Sequence, residues 1–420
     1  METFQKYFKN TSWLFFAKIF SSITSFFTIA IVARYLGPEN LGKLEYAQSL
    51  VAIISVFSSL GMEQILYREL IDKPNKENEL LGTIIYTKIF IGVILFLLTT
   101  LISLLYNQDL IYTIIVSITA LTLVINPLGT ISVYFDSKVK SKYVSIVSIF
   151  ISILIPFLKI IFILSGLGII YFSLLLVLES IIYSCALAFI YLKINKKRLK
   201  DWSFKFETLR NILHDSWPLF LSGFSGYIFA KIDQVMLMHY SDALSVGLYS
   251  SAVKITQIWA FLPGLVIGSL FPAIINSKKT SFSSYANRLK KLTFAVVTLI
   301  IIISAPLFFF SKQVLNIIFG NQYLEAAPIL QIYLWIGVAI TLIVLIQHYL
   351  IAENLSKIFL YITLFGAITN VILNIILIPN YGGVGAAIST LMSYASVVIA
   401  VLFFKKSRNG IVEILKFKNG

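Results

Sequence analysis

Residues 168–193 read GIIYFSLLLVLESIIYSCALAFIYLK, and residues 194–210 read INKKRLKDWSFKFETLR. The first stretch carries one charged side chain, Glu179, ahead of its closing lysine, and it exceeds the ~20 apolar residues that cross a bilayer as an α-helix. The second stretch is rich in lysine and arginine. Together they predict a membrane-spanning helix that ends in a basic connector outside the bilayer.

Similar apolar runs lie on both sides of this connector. The predicted spans are residues 11–34, 44–68, 81–105, 109–133, 143–164 and 168–193 before it, and 211–239, 244–275, 291–312, 326–351, 357–378 and 383–404 after it. A content of 58% hydrophobic and 13% charged residues, with a mean hydropathy of +0.89, excludes a soluble globular protein. The runs also exceed the ~10 alternating residues of a membrane barrel strand. We therefore predict an all-α integral membrane protein with about twelve transmembrane helices.

The connector divides the predicted spans into two equal sets. The predicted parts are a six-helix lobe at residues 1–193, the basic cytoplasmic connector at 194–210, a second six-helix lobe at 211–404 and a basic cytoplasmic tail at 405–420. Because each lobe contains an even number of spans, an internal repeat would be parallel, with its axis along the membrane normal. Ser12-Trp13 opens the first lobe as Ser216-Trp217 opens the second, which favours such a repeat.

Charge placement predicts the topology. Most of the 34 lysine and arginine residues fall in alternate segments between spans, so the positive-inside rule places both termini in the cytoplasm. The net charge of +15 is then explained by topology and by attraction to anionic lipids, and we expect no nucleic-acid partner. One cysteine and three histidines predict no disulfide and no metal site. The first span has no small-residue cleavage site, so we expect a retained helix.

Lysines inside the spans are candidates for function, because a charge in hydrocarbon is costly. Lys18 and Lys88 lie about 10 Å inside the cytoplasmic ends of their spans at 1.5 Å per residue, and Lys254 lies deeper. Lys231 is on the seventh span. Each ammonium group either lines a hydrated cavity or reaches the membrane surface on its long stem. Lys159 is near the outer end of its span, where the second explanation suffices.

Three of the acidic residues within predicted spans are also candidates for function. Glu179 lies near the midplane, where a carboxylate could exchange a proton or a cation, or could be held by a lysine. Asp215 and Asp233 share one face of the seventh span, and Lys231 lies nearly opposite. Asp233 therefore has either a transport role or a structural bridge to a lysine on another helix. We interpret the polar Asn370 and Asn374 of the eleventh span as interhelical hydrogen-bonding residues.

Motifs for catalysis are missing from the sequence. There is no Walker phosphate loop, no zinc-protease motif and no Ser/His/Asp cluster outside the membrane. The longest predicted outward segment, residues 313–325, is too short for a catalytic domain. We therefore expect no catalytic residues and no enzymatic activity.

Three segments carry a family resemblance. They are ARYLGPENLGKLEYAQSLVAIISVFSSLGMEQILYREL (Ala33–Leu70), KIDQVMLMHYSDALSVGLYSSAVKI (Lys231–Ile255) and PNYGGVGAAIST (Pro379–Thr390). The sequence resembles Wzx-type polysaccharide exporters of the multidrug/oligosaccharidyl-lipid/polysaccharide (MOP) exporter superfamily, over essentially the whole chain. The resemblance implies a MATE-like fold in the bacterial cytoplasmic membrane. It also implies a flippase that moves an undecaprenyl-diphosphate-linked oligosaccharide to the outer leaflet by alternating access, for O-antigen, capsule or exopolysaccharide synthesis.

The resemblance also suggests roles for the charged residues. Lys18, Lys88, Lys231 and Lys254 become candidates for a cationic cavity that attracts the diphosphate, and Asp233, Glu179 and Asp215 become candidates for coupling or gating. The resemblance implies no cofactor, and it implies that transport can be coupled to H⁺ or Na⁺. The implied partners are membrane lipids, a polysaccharide polymerase and chain-length machinery. The alternative from the same superfamily is a cation-coupled multidrug antiporter, whose cavity should be acidic. A membrane enzyme or a structural scaffold accounts less well for the pattern.

Overall fold

The computed structural model of the protein describes residues 2–106, 109–195, 199–260, 262–278 and 281–416. Within these ranges the regular structure is entirely helical, without any strand, which confirms the predicted all-α class. Connector residues 196–198 and tail residues 417–420 lie outside the described residues.

The chain forms two compact units that divide between Tyr227 and Ile228, inside one helix. The helices of the first unit are α1 (Glu2–Ser59), α2 (Met62–Asp72), α3 (Glu77–Tyr106), α4 (Leu110–Ala120), α5 (Thr122–Ile125), α6 (Ile131–Ser137), α7 (Lys142–Leu164), α8 (Ile169–Asn195) and the start of α9 (Phe206–Tyr240). The end of α9 begins the second unit. That unit continues with α10 (Ala243–Gln257), α11 (Leu262–Lys278), α12 (Phe282–Phe309), α13 (Ser311–Phe319), α14 (Ala327–Ala352), α15 (Ser356–Ala400) and α16 (Lys405–Lys416). The predicted division into lobes at the connector stays a prediction.

In the described part of the chain, nine helical stretches are long and apolar enough to cross a membrane. They are Asn10–Ser59, Pro74–Leu105, Leu110–Ser137, Lys142–Leu164, Ile169–Asn195, Ala243–Lys278, Phe282–Phe309, Asn321–Ala352 and Ser356–Phe403. The first and last contain 50 and 48 residues, about twice the ~20 residues of one crossing. The protein is therefore a multi-pass membrane protein, whereas the number twelve and the cytoplasmic position of the termini stay predictions.

Glycines with positive φ divide both long stretches. In α1, Gly37 has φ 74° and is followed by Pro38, which has no N–H to donate to the helix. The side chain of Asn40 donates to the carbonyl of Leu36 across this kink, at 3.1 Å. In α15, Gly382 has φ 52°. The segments predicted as loops at 35–43 and 379–382 are therefore kinks between consecutive helices.

The second predicted span, residues 44–68, is also interrupted. α1 ends at Ser59 and α2 begins at Met62, with Gly61 between them at φ 70°. A Cβ atom at Gly61 would lie 2.7 Å from the backbone nitrogen of Phe220, so only glycine permits this approach of the turn to α9. Phe57 packs edge-on against Phe220 beside this contact.

The described part of the connector packs against the first unit. Trp202 is 6% exposed and belongs to the core to which α2, α3, α6, α7 and α8 contribute. Its neighbour Ser203 lies so close to α3 that a Cβ atom at Gly82 would be 2.6 Å from its carbonyl oxygen. The backbone N–H of Lys205 donates to Thr83 Oγ1 at 3.1 Å. This connector segment was predicted from its charge alone, and burial of the tryptophan explains why it docks.

Small residues bring helices together in the second unit. The second half of α15 buries glycines, alanines and hydroxyl residues, and it packs against α10 and α14. A Cβ atom at Gly383 would lie 2.6 Å from Cδ1 of Ile329 on α14. This close packing brings polar side chains of α15 up to α9 and α10.

Candidate functional site

A buried carboxylate lies at the centre of a polar cluster in the second unit. Asp233, on the end of α9, is 2% exposed. Its Oδ2 accepts hydrogen bonds from the hydroxyl of Tyr249 and from Thr390 Oγ1, the latter at 2.6 Å. Its Oδ1 accepts from Asn374 Nδ2 at 2.7 Å and from Asn370 Nδ2 at 3.3 Å. We call these five residues the Asp233 cluster. Four donors therefore satisfy both oxygens of one carboxylate.

Local structure positions each donor. Asn370 and Asn374 are one turn apart on the first half of α15 and so share a face. Thr390 follows the kink at Gly382, on the second half of the same helix. Tyr249 comes from α10. The cluster thus joins three helices, each of which contributes side chains that would be costly to bury without a partner.

The cluster also contains an acceptor without a donor. Asn374 Oδ1 is buried and has no hydrogen-bond partner among the described residues. The same is true of Oε1 of Gln234, the residue that follows Asp233. Carboxylate, hydroxyl and amide oxygens are the ligands of hard cations, and a carboxylate can equally take a proton. The described residues include no group of three or more histidine, cysteine, aspartate or glutamate side chains suited to a metal ion. The arrangement thus suits a proton or a hard monovalent cation.

Sequence analysis identified Asp233 but not its surroundings. None of its hydrogen-bond partners is a lysine, so the lysine bridge that we considered is not formed. Asn370 and Asn374 do bond between helices as predicted, but they bond to Asp233. Tyr249 and Thr390 were not predicted, although both lie in segments that carry the family resemblance.

Lys88 has partners within the first unit. It is 6% exposed, and its Nζ lies 2.5 Å from Glu63 Oε1 and 2.8 Å from Thr130 Oγ1. Glu63 remains 48% exposed, so the ion pair is only partly shielded from solvent. Lys88 is therefore buried against its partners, and part of its charge is already neutralised. Glu63 was not predicted.

Two adjoining cavities lie in the first unit. The smaller, of about 280 Å³, is bordered by Lys88 and Glu63. The larger, of about 630 Å³, is bordered by α1, α4, α5, α7, α8 and the start of α9. Ser55, Asn126 and Tyr227 border both. Polar side chains thus border both cavities among otherwise apolar helices.

Glu179 borders the larger cavity. Lys159 on α7 contributes an electrostatic interaction with its carboxylate. The structure thus joins Glu179 with a lysine that we had explained by its position near the membrane surface. The predicted coupling role of Glu179 stays a prediction.

The remaining candidates occupy separate places. Lys18 is exposed on α1, one turn before Ser21, which borders the larger cavity. Lys231 and Lys254 are partly buried in the second unit. Asp215 is 42% exposed at the side chain, and its Oδ2 lies 2.7 Å from Arg68 on α2, so it ties α9 to α2.

Comparison with known proteins identifies the family. The model of the family described as polysaccharide biosynthesis protein matches residues 7–278, more than half of the chain. The chain belongs to this family. The predicted resemblance to polysaccharide flippases of the MOP superfamily is thereby confirmed.

Two curated relatives of this family member are a probable low-salt glycan biosynthesis flippase of Haloferax volcanii and the capsular polysaccharide biosynthesis protein CapF of Staphylococcus aureus. The first is 27% identical over 47% of this chain and only 42% of its own length. The second is 23% identical over 95% of this chain and 99% of its own length. Sequence similarity to proteins of glycan biosynthesis thus extends over nearly the whole family member.

Solved structures show the same fold. The lipid II flippase MurJ in an inward-closed conformation aligns with a TM-score of 0.75 and 17% identity, over 96% of this chain and 93% of that one. An inward-facing MATE family multidrug transporter of the MOP superfamily aligns with a TM-score of 0.68 and 16% identity, over 96% of each chain. The predicted MATE-like fold is therefore confirmed.

Proposed function

We propose that this family member is a flippase that moves undecaprenyl-diphosphate-linked oligosaccharide repeat units from the cytoplasmic to the outer leaflet. It would do so by alternating access, with twelve spans in two six-helix lobes and both termini in the cytoplasm of a bacterium. The observation that carries the proposal is the polar cavity of about 630 Å³ among apolar helices. A sugar diphosphate cannot cross hydrocarbon unaided, whereas its polyprenyl tail can stay in lipid. Similarity to a capsular polysaccharide biosynthesis protein supports the proposal.

The intramembrane lysines are proposed to attract the diphosphate. The exposed Lys18 is best suited to this role, since Lys88 already pairs with Glu63. Lys231 and Lys254 would act from the second unit. The positive electrostatic potential of lysines in a low-dielectric environment raises the local concentration of an anionic headgroup. The proposed partners are membrane lipids and the polymerase and chain-length proteins that use the exported units.

We also propose that the Asp233 cluster binds the coupling ion, H⁺ or Na⁺. For Na⁺, Asp233, Thr390 and the free Oδ1 of Asn374 would supply oxygen ligands after rotation of the hydroxyl. For H⁺, the carboxyl group of Asp233 would take the proton and donate it to one of the same oxygens. Binding in either form replaces hydrogen bonds that join α9, α10 and α15. This exchange links ion occupancy to helix packing, as coupled transport requires.

A cation-coupled multidrug antiporter is the second candidate. Glu179 favours it, because the larger cavity offers a carboxylate to a cationic drug. A carboxylate at this place also suits a sugar, so the two candidates require a functional test. In either case the protein would be a transporter and not an enzyme.

The deciding experiment is depletion of the protein in its host. Lipid-linked oligosaccharide, surface polysaccharide and drug susceptibility would be measured together, with the wild-type gene restored as the control. We expect lipid-linked oligosaccharide to accumulate and surface polysaccharide to fall. Unchanged glycan together with increased drug susceptibility would contradict the flippase and support the antiporter.

A further inference from the structure

The larger cavity of the first unit is bordered mainly by uncharged polar side chains. Its volume of about 630 Å³ lies within the range of about 300–1,000 Å³ that small-molecule sites occupy. Its border holds hydroxyl and amide side chains, two tyrosines and one carboxylate, with no lysine or arginine among the described residues. A diphosphate would meet the charge of Glu179 there without any bordering cation. The diphosphate therefore belongs elsewhere.

Several of the bordering hydroxyl groups already donate their hydrogen to a helix carbonyl. Ser152 donates to the carbonyl of Ser148 at 2.7 Å, Ser55 to that of Ala52 at 2.7 Å, and Thr122 to that of Thr119 at 2.7 Å. Each such oxygen keeps lone pairs and has no further proton to give. The cavity wall is thus rich in hydrogen-bond acceptors. An occupant that supplies several O–H donors would satisfy them.

Glu179 strengthens this acceptor character. Its carboxylate borders the cavity and can accept two or more hydrogen bonds. Lys159 already contributes an opposing charge, so a second cation is not needed to balance Glu179. Two adjacent hydroxyl groups of a sugar ring match the two carboxylate oxygens. The rings of Tyr183 and Tyr227 offer faces against which the C–H side of a sugar can pack.

We propose that this cavity binds the saccharide part of the lipid-linked substrate, with Glu179 as the acceptor for sugar hydroxyl groups. The inference rests on the proposed flippase function. It adds that the saccharide and the diphosphate of the substrate bind at different places. The neutral, polyhydroxylated end lies in the acceptor-rich cavity. The anionic diphosphate lies outside it, near Lys18, one turn before the bordering Ser21.

Binding to the purified protein in lipid nanodiscs tests the inference. The probes are oligosaccharides from partial acid hydrolysis of the host's surface polysaccharide, inorganic diphosphate, and tetraphenylphosphonium as a lipophilic cation. Glu179→Gln keeps the size of the side chain and removes its charge. We expect it to weaken oligosaccharide binding by about tenfold or more, as the loss of hydrogen bonds to a charged group implies, and to leave diphosphate binding unchanged. Glu39→Gln is the matched control, because Glu39 is 65% exposed and borders neither cavity.

A second variant protects the test against a folding defect. Ala52→Leu fills the cavity from α1 without changing charge, and it should also weaken oligosaccharide binding. Equal oligosaccharide binding by wild type, Glu179→Gln and Ala52→Leu would overturn the inference, as would its absence from the wild type. In that case accumulation of lipid-linked oligosaccharide on depletion would still support the flippase. Binding of tetraphenylphosphonium alone, lost in Glu179→Gln, would overturn both.

Discussion

Asp233→Asn separates the charge of the Asp233 cluster from its packing. The amide oxygen can still accept from Asn374, whose Nδ2 lies 2.7 Å from Oδ1 of the aspartate. The new NH₂ group would face the hydroxyls of Tyr249 and Thr390, and a hydroxyl can rotate from donor to acceptor. Thr390 also has the carbonyl of Ala386 at 2.9 Å as a second partner. The variant therefore keeps hydrogen bonds at both ends of the side chain.

The cost of this change is small on balance. Charge-assisted hydrogen bonds contribute about 1.5–3 kcal/mol each and neutral ones about 0.5–1.5 kcal/mol, so their exchange costs a few kcal/mol. The buried charge no longer has to be desolvated, which offsets a comparable amount. Asp233→Ala instead leaves the donors of Asn370 and Asn374 without their acceptor, at about 1–3 kcal/mol for each. We expect Asp233→Asn to melt within a few degrees of the wild type, and Asp233→Ala well below it.

Thermal melting with and without Na⁺, at acidic and at alkaline pH, measures both packing and coupling. An ion that binds only the folded protein raises its melting temperature. The wild type should be stabilised by Na⁺ or by acid, according to the coupling ion, and Asp233→Asn should lose that stabilisation and fail to restore export in depleted cells. Identical ion-dependent shifts in both proteins would refute the coupling role. A loss of stability in Asp233→Asn as large as that in Asp233→Ala would mean that the charge of Asp233 is needed for the packing of the three helices.

Three further predictions concern the first unit; melting temperature measures the first two, and export in depleted cells measures the third. Trp202→Ala should cost about 3–5 kcal/mol because the side chain is 6% exposed, and Phe206→Ala, at 71% exposure, should cost little; equal effects would contradict docking of the connector. A hydrogen bond from Lys73 holds the pKa of Glu69 below its ordinary value, so the stability it gives is present at neutral pH and is lost as pH falls through the folded-state pKa. Glu69→Gln should therefore melt slightly lower than the wild type at neutral pH and equally in acid; a difference that grows in acid would contradict this. Lys88→Met should impair export less than Lys18→Met, because the charge of Lys88 is already paired with a neighbouring carboxylate. A larger loss of export in Lys88→Met would contradict the proposed role of Lys18.

The fold was largely predictable because the bilayer requires long apolar helices, which the sequence displays directly. The joints between them were harder to predict. Gly37-Pro38 reads as a loop, yet the chain continues as a helix beyond the kink. Trp202 was difficult to predict for a different reason. It lies among charged residues that indicate an exposed connector, yet its side chain packs into the core.

The candidate site was predictable only in part. The cost of a charge in hydrocarbon identified Asp233, Glu179 and Lys88 from the sequence alone. Their partners come from distant segments. Thr390 is 157 residues from Asp233, and Glu63 is 25 residues from Lys88. Neither partner has a local pattern that separates it from other threonines and glutamates, because tertiary packing brings them together.

The carboxylates of Asp233 and Glu179 have opposite surroundings, and this difference is why we propose different roles for them. Asp233 already accepts four hydrogen bonds from protein donors, so an ion must displace or reorient those donors in order to bind. Such a site connects occupancy with the packing of three helices. Glu179 borders a cavity in which several hydroxyl groups have given their hydrogens to helix carbonyls, and in our proposal the entering molecule supplies its donors. In the proposed function, we therefore expect the change of conformation to depend on Asp233 and the choice of substrate to depend on Glu179.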